Sequence, residues 1–165
     1  MKKSISITGV VLAFIIAASS CAPKPPVKPE APPKPVAANV APALETQILE
    51  QINRYRHSKN LLPLTANLAL EFEARRHSLN MATKKVPFSH NGFSARMKNI
   101  QRKIPGITAV SENVALGNMT AQSVVEGWLK STEHRHNIEG NYRLTGIGVA
   151  RNEQSQLYFT QIFAN

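Results

Sequence analysis

Three segments carry side chains that could do chemistry together: FSHNGF at 88–93, SEN at 111–113 and STEHRHN at 131–137. They supply His90, Glu112 and His134 from distant parts of the chain. Imidazole nitrogens and carboxylate oxygens are ligands for Zn²⁺, and a set this small leaves positions on the ion open for water or substrate. A metal held by His90 and His134 would activate water while Glu112 took the proton. The same residues would equally serve as a hydrogen-bonded clasp that pins loops over a sheet, because buried histidines need partners whatever their role. The residue types alone leave both uses open.

The remaining candidates are less specific. His77 falls on the inner edge of a helix by periodicity and reads as a core or boundary histidine. His136 is two positions from His134, so on a helix the two side chains point apart. His57 reads as solvent-exposed, and Trp128 as core rather than as a ligand platform. Ser89 adjoins His90 in sequence, too close for the two side chains to converge as nucleophile and base. The chain has no HExxH segment, and its one cysteine, Cys21, lies outside the domain that carries the histidines.

Several elements must position these groups. ALETQILEQINRYRHSKN sets Leu44, Ile48, Ile52 and Tyr55 on one helical stripe, which Asn60 and Pro63 end. Asn67 caps a second helix, with Leu68, Phe72 and Leu79 in one row and Leu70, Ala74, His77 and Met81 in the next. A third helix is predicted over 94–103. Thr120 caps a fourth, with Val124, Val125, Trp128 and Leu129 on its buried side. SENVALG alternates like a strand, and 147–151 and 156–163 read as two strands around a polar turn at 152–155. Helices first and a hairpin last predict an α+β fold, a three-layer α/β/α sandwich with a central antiparallel sheet, formed by the 123 residues 43–165.

The N-terminus has a different character. Lys2 and Lys3, an apolar run from about Ile5 to Ala18, and small residues before Cys21 have the order of a secretory signal peptide over 1–20. The run is shorter than the roughly 20 residues of a membrane span, which disfavours a retained anchor. Ala18-Ser19-Ser20-Cys21 resembles a bacterial lipobox, with Ala18 where leucine is usual. That resemblance implies acylation of Cys21, each buried CH₂ adding about 0.8 kcal/mol of membrane affinity. Cleavage after Ala22 is the rival, and would release a secreted protein. In a host with two membranes, Ala22 after the cysteine implies sorting to the outer one. The Pro-rich residues 22–42 cannot bury enough surface to fold and read as a stalk, up to about 60 Å long at ~3.1 Å per residue.

Of 20 Lys and Arg and 10 Asp and Glu, the first 42 residues hold 5 and 1, so the domain has a net charge of +6. Export makes nucleic acid an unfitting partner. Anionic lipid headgroups, envelope phosphates and cell-wall carboxylates fit better, and solubility alone would also explain the charge.

The segments INRYRHSKNLLPL, FSHNGF, SENVALG, GWLKSTEHRHNI and NYRLTGIGVA come in the order and approximate spacing of the bacterial branch of the CAP superfamily (SCP-like domains), and the domain is similar to it from about Leu44 to the end. The resemblance implies the CAP sandwich, with a cleft in which two histidines and two acidic residues face each other. His90 and His134 match the histidines and Glu112 matches one acid. At the place of the second acid this chain has Ser131, with Glu133 nearby. The disulfides of animal members are absent. Two functions follow as expectations: an envelope module binding lipid, cell wall or protein, with a cleft able to take a divalent metal such as Zn²⁺, or a metal-dependent hydrolase of peptide or cell-wall bonds. The lack of a compact hydrolase signature favours the first.

Overall fold

The computed structural model describes residues 40–165. The expectations for the signal peptide, Cys21 and nearly all of the stalk lie outside the described residues. Those described belong to one compact unit, Pro35–Asn165. In chain order the elements are α1 (Val40–Ser58), β1 (Thr65–Ala66), α2 (Leu68–Ala82), α3 (Phe93–Lys103), β2 (Val110–Leu116), α4 (Ala121–Lys130), α5 (Thr132–Glu139), β3 (Leu144–Arg151) and β4 (Leu157–Ala164).

The four expected helices are present, and two elements are additional. The helix α5 has a single buried apolar residue, Ile138, so it draws no stripe; its start is set by Ser131, which accepts from the His134 N–H. The strand β1 is two residues long and pairs in parallel with β3. The sheet order is β1-β3-β4-β2, with β2, β3 and β4 antiparallel. The antiparallel expectation therefore describes the three long strands, and β1 makes the sheet mixed.

The strand β4, LYFTQIFA, lies in the middle and is buried throughout, as a strand covered on both faces must be. Leu157, Phe159 and Phe163 pack with Leu44, Ile48 and Ile52 of α1, and with Val124, Val125 and Trp128 of α4. Tyr158, Ile162 and Ala164 point the other way, towards α2 and α3. These two sets make the outer layers of the sandwich.

The helix α2 is capped as expected, the Asn67 side chain accepting from the N–H groups of Ala69 (2.9 Å) and Leu70 (3.3 Å). Leu70, Ala74, His77 and Met81 face the sheet, so the row of Leu68, Phe72 and Leu79 faces solvent. The helix sits so close to β3 that a Cβ on Gly146 would fall 2.2 Å from the Glu71 nitrogen, and one on Gly148 2.1 Å from that of Arg75. Only glycine admits backbone at that distance. The Ser78 hydroxyl then donates to the Gly148 carbonyl at 2.8 Å, which fixes how far along the strand the helix lies.

Candidate functional site

The site straddles β2, the edge strand beside β4. Glu112 stands opposite Ile162 and so faces α2 and α3. The next residue, Asn113, faces the other way, and its amide donates to the His134 carbonyl on α5 at 3.1 Å. Asn137 on α5 returns a bond to the Asn113 side chain at 2.8 Å and another to the Glu112 carbonyl at 3.3 Å. One dipeptide of β2 thus ties down a group on each side of the strand.

The Glu112 carboxylate is enclosed, its side chain only 1% exposed. Arg96 on α3 grips it through two nitrogens, Nε to Oε2 and one terminal nitrogen to Oε1, both at 2.7 Å. A bidentate guanidinium matches the carboxylate geometry and supplies the charge that burial would otherwise leave uncompensated. The His90 Nδ1 lies 2.9 Å from Oε1. Oε1 can only accept, so Nδ1 carries the hydrogen and donates it. Arg96 also donates to the carbonyls of Asn91 (2.8 Å) and His90 (3.4 Å), which holds the loop in place.

Behind the carboxylate lies His77, 2% exposed, with Nε2 2.9 Å from the Ser89 carbonyl and 3.9 Å from Oε1. A carbonyl accepts, so Nε2 is the protonated nitrogen of the neutral ring. Burial, and then the Arg96 charge, hold the His77 pKa below its usual value, against a smaller opposing pull from Glu112. His77 is therefore the neutral post on which the loop before His90 rests.

With Nδ1 committed to Glu112, the Nε2 lone pair of the half-exposed His90 is the free valence of the cluster. A carboxylate behind an imidazole fixes its tautomer and ring orientation, the arrangement seen behind metal-bound histidines. Across β2, His134 has its pKa lowered by burial and then by repulsion from His90 whenever that ring is protonated, partly offset by Glu133. That keeps the ring neutral near pH 7, as a metal ligand must be. His90 and His134 therefore have the donor chemistry for a divalent cation. Among the described residues no three His, Cys, Asp or Glu side chains converge as a ligand set.

The site candidates within the described residues have these places in the structure. His90 and Glu112 touch, and His134 is close enough to feel the His90 charge. Glu133 is exposed and outside the Arg96–Glu112–His90 group. His57 and His136 are exposed, and Trp128 is core, its indole N–H donating to the Val114 carbonyl at 3.2 Å. Sequence reasoning missed Arg96 and did not connect His77 with Glu112. A signal existed for Arg96: it lies four residues before Ile100 on α3, an arginine on the buried row of a helix.

The model of the cysteine-rich secretory protein family (CAP) matches residues 49–163, and the chain belongs to that family. An uncharacterized protein of Bacillus subtilis (strain 168), YkwD, is 32% identical over 121 residues, or 72% of this chain. The chain spans about half of that relative's length, 46%. An extracellular protein containing an SCP domain from Bacillus anthracis superimposes with a TM-score of 0.65 at 26% identity, over 76% of this chain and 41% of the other. An outer surface protein of Borrelia burgdorferi superimposes at 0.63 with 18% identity, over 73% and 90%, and supports the fold alone. The CAP sandwich expected from the five motifs is the fold observed.

Proposed function

We propose that the protein is exported, is held at the cell envelope through acylated Cys21, and works as a binding module for a lipid, cell-wall or protein ligand rather than as a hydrolase. The N-terminal sequence supports export and anchoring, and the similarity to an SCP-domain protein described as extracellular supports export. Among the described residues no helix is long and apolar enough to cross a membrane. The observation that carries the non-catalytic reading is the state of Glu112. Both its oxygens are occupied, by Arg96 and His90, and its side chain is enclosed. A general base must reach the proton it abstracts, and this carboxylate faces its own protein instead. Its work is to orient His90, which with His134 offers a two-imidazole cleft to a ligand or to a divalent ion. A bound ion would supply Lewis acidity to the cleft.

The test uses His90→Ala, because a half-exposed side chain can be removed without emptying the core. Wild-type protein should release no more products from peptidoglycan or casein than this variant, with or without added Zn²⁺. Zinc-dependent turnover that vanishes in His90→Ala would establish the hydrolase instead. Anchoring is tested separately. Cys21→Ser should abolish incorporation of labelled fatty acid and move the protein from the membrane fraction to the soluble one, and an unchanged distribution would refute the lipid anchor.

A further inference from the structure

The charge of the domain is unevenly placed. Residues 68–103, which span α2, the following loop and α3, hold eight Lys and Arg against two Glu, a net +6. The rest of 43–165 holds seven of each sign and is neutral. One outer layer of the sandwich therefore carries the whole net charge. Seven of the eight cations are exposed; Arg96, in the Glu112 pair, is the exception.

The same layer exposes apolar side chains. Of six large hydrophobic residues exposed among those described, Leu68 (82%), Phe72 (54%), Leu79 (50%) and Phe88 (47%) come from α2 and the loop after it. At 3.6 residues per turn, Leu68, Phe72 and Leu79 fall within about 40° of one another, so they make one ridge on the outside of α2. Cations flank it: the Lys103 ammonium lies 4.4 Å from the centre of the Phe72 ring and the Arg76 guanidinium 5.8 Å. Leaving such a ridge in water has no benefit for folding, and neighbouring cations exclude a basic partner.

We propose that this layer is a membrane-docking face, on which Leu68, Phe72 and Leu79 enter the headgroup region of an anionic phospholipid bilayer while Lys84, Lys85, Lys98 and Arg102, exposed and outside the ion pairs that hold Arg75, Arg76, Arg96 and Lys103, meet the lipid phosphates. Apolar side chains on an interfacial helix supply insertion, and basic ones the attraction to anionic lipid. A soluble anionic polymer would use the cations and leave the ridge idle. That ridge selects the bilayer. The apolar ridge and the cations that flank it do not include His90 or His134.

The experiment uses residues 35–165, the compact unit that contains the domain, in co-sedimentation with vesicles. Wild type should bind phosphatidylglycerol–phosphatidylcholine vesicles, bind pure phosphatidylcholine weakly, and lose affinity as salt rises. Leu68→Ser, Phe72→Ser and Leu79→Ser together should weaken binding about tenfold or more. Their melting temperature should stay near wild type, since the three side chains are exposed. Lys98→Glu with Arg102→Glu should reduce binding comparably. The docking face is refuted if wild type ignores the anionic vesicles or the triple serine variant binds them as wild type does. Equal retention of wild type and the triple variant on soluble polyphosphate is expected, because only the cations act there; loss of that retention in the triple variant would contradict the assigned division of labour.

Discussion

The two faces of the sheet are held by different means. On the side of α1 and α4, fourteen buried apolar residues form one continuous cluster around Phe159, Phe163 and Trp128. On the side of α2 and α3 the apolar contacts divide into two smaller clusters, and between them run His77, Ser78, Thr160, Arg96 and Glu112, all buried. The first face supplies stability that tolerates imprecision, since hydrophobic burial is not directional. The second depends on hydrogen-bond geometry and on direct backbone contact at Gly146 and Gly148. His77, His90 and Glu112 belong to the second face, and His134 is held at β2 from the other side.

The largest expected effects separate the two kinds of support. Trp128→Ala and Arg96→Ala should each cost about 3–5 kcal/mol, one through a cavity and the other by leaving Glu112 charged, buried and unpaired. They should differ in rescue. Adding Glu112→Leu to Arg96→Ala should recover much of the loss, because the second change removes the orphaned charge, whereas no change at Glu112 should rescue Trp128→Ala. Chemical denaturation of wild type, Arg96→Ala, Glu112→Leu and their double variant, and of Trp128→Ala with and without Glu112→Leu, checks this, and additive losses in the Arg96/Glu112 double variant would show that the pair is not coupled.

Next in size is the helix–strand contact. Gly148→Ala should destabilise the domain by about 1–3 kcal/mol, at the upper end because backbone, not a flexible side chain, stands in the way. Thermal unfolding measures it. A variant as stable as wild type would mean that α2 can move off the sheet without loss.

A smaller effect concerns pH. The folded His77 pKa lies below its usual value of 6.5, so the unfolded chain binds the proton more readily. Stability should therefore fall as pH drops below about 6.5, until the folded pKa is reached. The groups facing His77 are Arg96 and Glu112, with His90 further out. His134 adds to the loss in the same direction. His77→Gln keeps a donor for the Ser89 carbonyl and should flatten the dependence below about pH 6.5. A slope equal to that of wild type would assign the effect to His134 instead.

How much of this was legible in the sequence follows the range of each signal. Caps and stripes are local, so the Asn67 and Thr120 caps, the α2 rows and the β3–β4 hairpin could be read directly. Short elements with little apolar content could not: α5 is fixed by Ser131 and by Asn113 and Asn137 across to β2, and β1 by two parallel pairs. The same limit applies at the site. His90 and Glu112 were legible as a pair through the family motifs. The Arg96 link spans sixteen residues and none of the five family segments contains that arginine, so the occupied state of Glu112 appeared only in three dimensions.

The central claim is that Glu112 is a positioning group that leaves His90 with one outward lone pair. Long-range ¹H–¹⁵N spectra of the histidine rings, recorded at a pH where they are neutral, test it most directly. His90 should show the Nδ1–H tautomer with Nε2 unprotonated, and His77 the opposite tautomer, Nε2–H. An Nε2–H tautomer at His90 would contradict the account, because Nδ1 would then have no hydrogen to give to Glu112.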